Sequence, residues 1–272
     1  MNGLTVTGGA RLIHQRLLVA GDAGGSRSIW RYWIEEAKRF DVRTIVQLGD
    51  LGYEGLHCIG YIEDVANMLR DADMWAFFID GNHDRSEHLL SRGAVLGQPV
   101  NYNLPVQIRP RLYYLPRGCT WKAGGVTFMG MGGAASIDKE ERIRLEVKDG
   151  VQRWWPSEII SFADMQRAIA HRDVDVLFSH EYPTGVDFGR VKVLDTEAHP
   201  ESVTERNKLR QVVDACGVRA VFHGHHNVRY SDAFQGTRGA VIVNGLADDG
   251  PDSYTIFDTE TYKTRGEPNA TP

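Results

Sequence analysis

Five short apolar runs, Arg16 to Ala20, Thr44 to Leu48, Trp75 to Ile79, Val174 to Phe178 and Arg219 to Phe222, limit what this chain can become. Each has the length of a strand buried on both faces and is too short for a helix. Between the first two, "SRSIWRYWIEEAKRF" spaces Ile29, Trp30, Trp33, Ile34 and Ala37 at three- and four-residue steps. That is the stripe of an amphipathic helix, with Ser26 or Ser28 as its cap. Similar patterns follow in "YIEDVANMLRDAD", in "SEIISFADMQRAIAHR" over Glu158 to Ala170, and in "ERNKLRQVVDACG", which Gly217 stops. Strand and helix in alternation predict an α/β fold with parallel pairing. Two stretches differ. "LYYLPRGCTWKAGGVTFMGMGG" and "GAVIVNGLADDGPDSYTIFDTETYK" have Gly-rich turns and little helix, and predict antiparallel strands. Two mixed sheets, stacked and flanked by helices, are therefore expected. No repeat or linker breaks the pattern, so residues 1–272 are expected to form one domain.

The residues after each apolar run carry the chemistry. The first run leads into Gly21-Asp22 and the second into Gly49-Asp50. The third leads into Gly81-Asn82-His83-Asp84, the fourth into Ser179-His180-Glu181, and the fifth into His223-Gly224-His225-His226-Asn227. One Gly-Asp after a strand is ordinarily a turn or a helix cap. Five strand ends bearing Asp, Asn or His are another matter, because α/β sheets bind ligands outside the carboxyl ends of their strands. Oxygen and imidazole donors without a thiolate suit Mn²⁺, Fe or Zn²⁺.

Composition removes other classes. No apolar run reaches the length of a membrane span, and the first residues lack the charged and apolar regions of a secretory signal. Cys58, Cys119 and Cys216 are odd in number and form no CxxC pair, so a disulfide framework and a cysteine zinc site are not expected and a cytoplasmic location is. The net charge of −5 lacks the basic excess of a general nucleic-acid binder.

From Asp22 to Asn227, the sequence resembles the calcineurin-like metallophosphoesterases, whose motifs run D-x-H, G-D, G-N-H-[DE], a strand-end His and G-H-x-H. "GNHD" is the most specific match; "VTFMGMGG" and "WWPSE" are weaker ones. The resemblance implies two metals at the strand ends. Asp50 would bridge them, with Asn82, His180 and His225 on one metal, and Asp22 and the last motif position, Asn227, on the other. That second site departs from the family pattern: Gly24 stands where the D-x-H histidine should be, and Asn227 replaces the final histidine. Water or His226 would have to fill the gap. Two divalent metals of unequal affinity are thus implied, manganese first, with iron, zinc or magnesium as alternatives. His83 would act beside the phosphate as general acid or transition-state stabiliser. Asp84 would orient it or turn the chain into the helix of "RSEHLL".

The same resemblance implies hydrolysis of a phosphoester by a metal-activated hydroxide in line with the leaving oxygen. "GDLGYEG" puts Tyr53 and Glu54 where the protein phosphatases of this kind carry Asp and Arg, which disfavours a protein substrate. A small phosphodiester or monoester is expected, a cyclic nucleotide first. Asn82, His83 and Arg85 are the candidate substrate contacts, with Arg153 as a further one. Tyr53, Trp154 and Trp155 are core residues or stacking surfaces for a base. A nuclease, or a domain that binds a phosphorylated ligand without turnover, is the alternative.

Overall fold

A computed structural model describes residues 16–53, 58–95, 101–186 and 199–265; Glu54 lies outside them. The chain runs β1 (Arg16–Ala20), α1 (Arg27–Arg39), β2 (Thr44–Gln47), α2 (Ile59–Asp71), β3 (Trp75–Phe78), α3 (Ser86–Val95), β4 (Val106–Arg109), β5 (Leu112–Tyr114), β6 (Thr120–Ala123) and β7 (Val126–Met131). It continues α4 (Lys139–Asp149), α5 (Phe162–Ile169), β8 (Val176–Ser179), α6 (Pro200–Cys216), β9 (Ala220–His223), β10 (Tyr230–Gly236), β11 (Gly239–Gly245), β12 (Tyr254–Asp258) and β13 (Lys263–Arg265). The expected strands and helices form, and the mixed pairing is as the turns imply. One sheet has the order β13-β12-β1-β2-β3-β5-β4, the other β10-β11-β9-β8-β7-β6. β1, β2, β3 and β5 are parallel in the first, and β7, β8, β9 and β11 in the second. The outer strands β12, β13, β4, β6 and β10 pair antiparallel.

Strand alternation sorts the apolar residues into three layers. Leu17 and Val19 of β1 face the other sheet and join Val46, Phe77, Phe128, Phe178, Phe222 and Phe257. Leu18 and Ala20 face the helices and pack with Trp30 and Trp33 of α1, Val65 and Leu69 of α2, and Phe78. Behind the second sheet, Leu177 and Val221 meet Met165 of α5 and Leu209 and Val213 of α6. The order is helix, sheet, sheet, helix.

Helix ends follow their sequence signals, with one correction. Ser26 caps α1, accepting from the Ile29 amide, and Gly217 ends α6 in the left-handed region at φ 71°. α5, however, starts at Phe162 and not at Glu158. Ser161 and Asp164 form a reciprocal capping box, while Pro156–Glu158 makes a short 3-10 turn that sends Glu158 into the interior. α4 escaped the periodicity reading because only Arg142 is buried among its described side chains.

The layer between the sheets sets the position of every strand end. Phe178 is fully buried and its ring lies 5.6 Å from Phe128, 5.8 Å from Trp121 and 5.8 Å from Phe222. Phe178→Ala is expected to destabilise the fold by about 3–5 kcal/mol, measured as the shift of a chemical denaturation midpoint at constant slope.

Candidate metal centre

The two sheets bring their parallel strand ends to one edge, where the loops after β1, β2, β3, β8 and β9 meet. Three side chains there sit on left-handed backbone: Asp50 at φ 53°, His225 at φ 66° and Asn227 at φ 53°. Such conformations cost of order 1–3 kcal/mol without glycine and gather at functional sites. Two glycines make the packing feasible for a different reason. A Cβ on Gly81 would lie 2.0 Å from Asp50 Oδ1, and one on Gly224 would lie 2.1 Å from Asp22 Oδ1. Their bareness makes room for the neighbouring carboxylates.

His180 is fully buried at the centre. Its Nδ1 lies 2.7 Å from the Leu48 carbonyl. That oxygen can only accept, so Nδ1 carries the proton. Nε2 is then directed at Asn82 Oδ1, 3.0 Å away, and Asp50 Oδ1, 3.4 Å away. A neutral imidazole would place three acceptors together, with no donor among them. Either a second proton or a cation must lie between them. Asp22, Asp50 and His180 each offer a ligand atom, all within 4.8 Å of one another. Hard oxygens around one imidazole suit a divalent metal, so the donor set fits the ion that the sequence implies.

Without a metal, the proton takes that place. Burial would lower the His180 pKa, but Asp50 and Asp22 raise it to about 10. Burial would raise Asp50, but His180 and His83 hold it well below the usual carboxylate range. Burial pushes Asp22 up to about 8 against the pull of His180.

Asn82 is held in one orientation. Its Nδ2 donates to Ser136 Oγ at 3.0 Å. Ser136 Oγ accepts a second bond from Arg142 Nη1 at 2.8 Å and donates to Glu158 Oε2 at 2.6 Å, while the Ser136 amide donates to Glu158 Oε1 at 3.0 Å. This directs Asn82 Oδ1 toward His180. The network was not legible from the five strand ends, since Ser136 and Glu158 follow β7 and α4; the weaker motif "VTFMGMGG" precedes Ser136, and "WWPSE" ends on Glu158.

The other candidates divide. His83 is half-exposed, its amide donates to Asp50 Oδ1 at 2.9 Å, and its Nε2 lies 4.0 Å from Asp50 Oδ2. Asp84 is fully buried and accepts from the amides of Leu51, Gly52, Tyr53 and Gly81 at 2.7–3.0 Å. It ties the third loop to the second, and in this geometry neither orients His83 nor caps a helix. Arg85 places its guanidinium over Trp155, 5.7 Å from the ring centroid, and 3.7 Å from Glu87; it does not line the cavity over the centre. Arg153 pairs with Asp149. Trp155 and Tyr53 are buried, and Trp154 packs under the Lys139 ammonium. His225 donates its amide to both Asp22 oxygens, and its ring lies 4.9 Å from that of His180. His226 does not fill the gap beside Asp22. Its Nε2 is bonded to Glu181 Oε1 at 2.7 Å.

That cavity, of about 910 Å³, is lined by Asp22, Gly24, Asp50, His83 and Asn227, and also by Tyr32, Tyr61, Asp248 and Asp249. Asp248 and Asp249 follow β11, another parallel strand, so the strand-end rule extends to them. Gly24 lies at φ 52°, and a Cβ there would meet nothing within 4 Å.

The sequence matches the family model described as calcineurin-like phosphoesterase over residues 15–229. The chain belongs to the calcineurin-like phosphoesterase family. Solved structures share the fold of this family member at low identity. The protein TT1561 of Thermus thermophilus is 13% identical, with 92% of this chain and 96% of that one covered and a TM-score of 0.54. A dimetal phosphatase from Danio rerio is 13% identical, with 89% and 91% covered and a TM-score of 0.52. No curated protein matches the sequence. Among the described residues of this family member, no helix is long and apolar enough to cross a membrane.

Two outcomes are expected. Ser136→Ala frees the Asn82 amide, and removing such a supporting contact weakens metal binding by about 10- to 100-fold, read by Mn²⁺ titration. Both Asp22 and His180 must release a proton to become ligands. Metal affinity of the metal-free protein should therefore rise from about pH 6 to pH 8, with proton release. Calorimetric titration in buffers of different ionisation enthalpy measures it.

Proposed function

We propose that this chain is a metal-dependent hydrolase of small phosphodiesters or monoesters, with a cyclic nucleotide as the leading substrate. The observation that carries the reading is the convergence of His180 Nε2, Asn82 Oδ1 and Asp50 Oδ1 on one buried point, a place that a proton or a cation must fill. Asp22, Asp50, Asn82 and His180 would hold the metal, manganese being the first expectation. When bound, a divalent ion lowers the pKa of water and draws charge from phosphate oxygens.

The chain's own groups do the rest. His83 stands half-exposed and lines the cavity, where its imidazole can hand a proton to the leaving oxygen. Asp50 holds the His83 backbone through its amide, so imidazole and metal ligands keep one spacing. The cavity volume suits a ligand of nucleotide size, and Tyr32 and Tyr61 give its wall aromatic surface. No Lys or Arg is among the described residues lining it, whereas Asp248 and Asp249 are. That favours a compact substrate with one phosphate over a polynucleotide, whose binding depends on basic contacts. Cys58, Cys119 and Cys216 are buried and form no disulfide, which supports a cytoplasmic location.

Gly24 and Asn227 favour the second reading, a domain that binds a phosphorylated ligand without turnover. Hydrolysis of a chromogenic phosphodiester and of 2′,3′- and 3′,5′-cyclic nucleotides with added Mn²⁺ separates the two. Asp50→Asn and His83→Ala are expected to lower the rate by about 100-fold or more. Variants as fast as the parent protein would overturn the assigned roles, and binding of these compounds without turnover by the parent would support the second reading.

A further inference from the structure

A histidine that ligates a metal gives one ring nitrogen to the ion and must place the proton of the other. His180 places it on the Leu48 carbonyl, 2.7 Å away. Asn82, which the resemblance puts on the same ion, is held by Ser136 Oγ. His225 completes that set. Its amide bonds Asp22, but among the described residues no hydrogen bond holds its ring. The ring centroid lies 4.9 Å from that of His180 and 4.7 Å from that of His226.

Glu181 has the complementary defect. It directly follows His180 and is fully buried. Its Oε1 accepts from the Tyr182 amide at 2.9 Å and lies 2.7 Å from His226 Nε2. Its Oε2 is buried and has no hydrogen-bond partner, which is costly for a carboxylate in the interior. A carboxylate oxygen of Glu181 and a ring nitrogen of His225 lie within 4.8 Å of each other. One group lacks a donor, the other an acceptor, and they are neighbours.

We propose that Glu181 is a positioning residue for the metal centre. When an ion is bound, Glu181 Oε2 accepts from the ring N–H of His225, and the other ring nitrogen is held for the ion. The two contacts on Oε1 keep the carboxylate from swinging away. A carboxylate behind a ligating imidazole fixes its tautomer and raises its basicity. The assignment rests on the metal-dependent reading above and leaves His225 in the set with Asn82 and His180.

The test uses the full chain, labelled with ¹⁵N in its histidine rings and loaded with Zn²⁺. Ring ¹⁵N shifts and exchange rates report which nitrogen of His225 carries its proton and whether that proton is held. The parent is expected to show one slowly exchanging His225 ring proton. Glu181→Gln keeps the size but turns one acceptor into a donor. It is expected to lose that proton and to bind Mn²⁺ about 10- to 100-fold more weakly by titration. His226→Gln leaves Oε2 in place and is expected to keep the proton. A His225 proton unchanged in Glu181→Gln would overturn the proposal and leave the metal-dependent reading intact. Its loss in both variants would do the same, since it would mark collapse of the buried pair. If Glu181→Gln fails to fold by far-UV circular dichroism, the loaded parent decides: a ring proton in free exchange overturns the assignment, and a held one supports it. A parent that binds neither Zn²⁺ nor Mn²⁺ would overturn both readings.

Discussion

The hydrogen bond between His180 Nδ1 and the Leu48 carbonyl joins the two sheets at the edge where their parallel strands end. His180 ends a strand of one sheet, and Leu48 follows a strand of the other. The bond fixes which nitrogen carries the proton and which faces Asp50 and Asn82. The layer of rings between the sheets sets the distance that this bond spans. Core packing and metal chemistry are therefore coupled through a single imidazole, and a change in sheet spacing would be felt first as a misdirected Nε2.

Much of this was legible in the sequence. Strands buried on both faces read as unbroken apolar runs, so β1, β2, β3, β8 and β9 stand out, and the polar residues after them are those that meet in space. What strand-end reading could not supply was side-chain direction. Asp84 belongs to the most recognisable motif, yet its carboxylate is taken up by four backbone amides. Arg85 was a phosphate contact by charge and position, but packs on Trp155. The supports of Asn82 come from Ser136, Arg142 and Glu158, which are remote from it in sequence. Glu158 illustrates the conflict well: helical spacing claimed it for α5, while the Ser161 cap and the buried bonds to Ser136 claimed it for the site.

Charge is distributed in an unusual way for a site meant to meet phosphate. The cavity is lined by Asp22 and Asp50 of the centre and by Asp248 and Asp249. Empty of metal, such a cavity repels anions; loaded, the ions supply the local positive charge.

Gly24 bears on how such a chain can change over time. Its backbone is left-handed, but the space above it is open, so a side chain there displaces nothing and costs only conformational strain. The loss of a donor at this position is thus a change of one residue without a change of scaffold. The number of donors at this flank can therefore change by one substitution while the scaffold around it stays as it is.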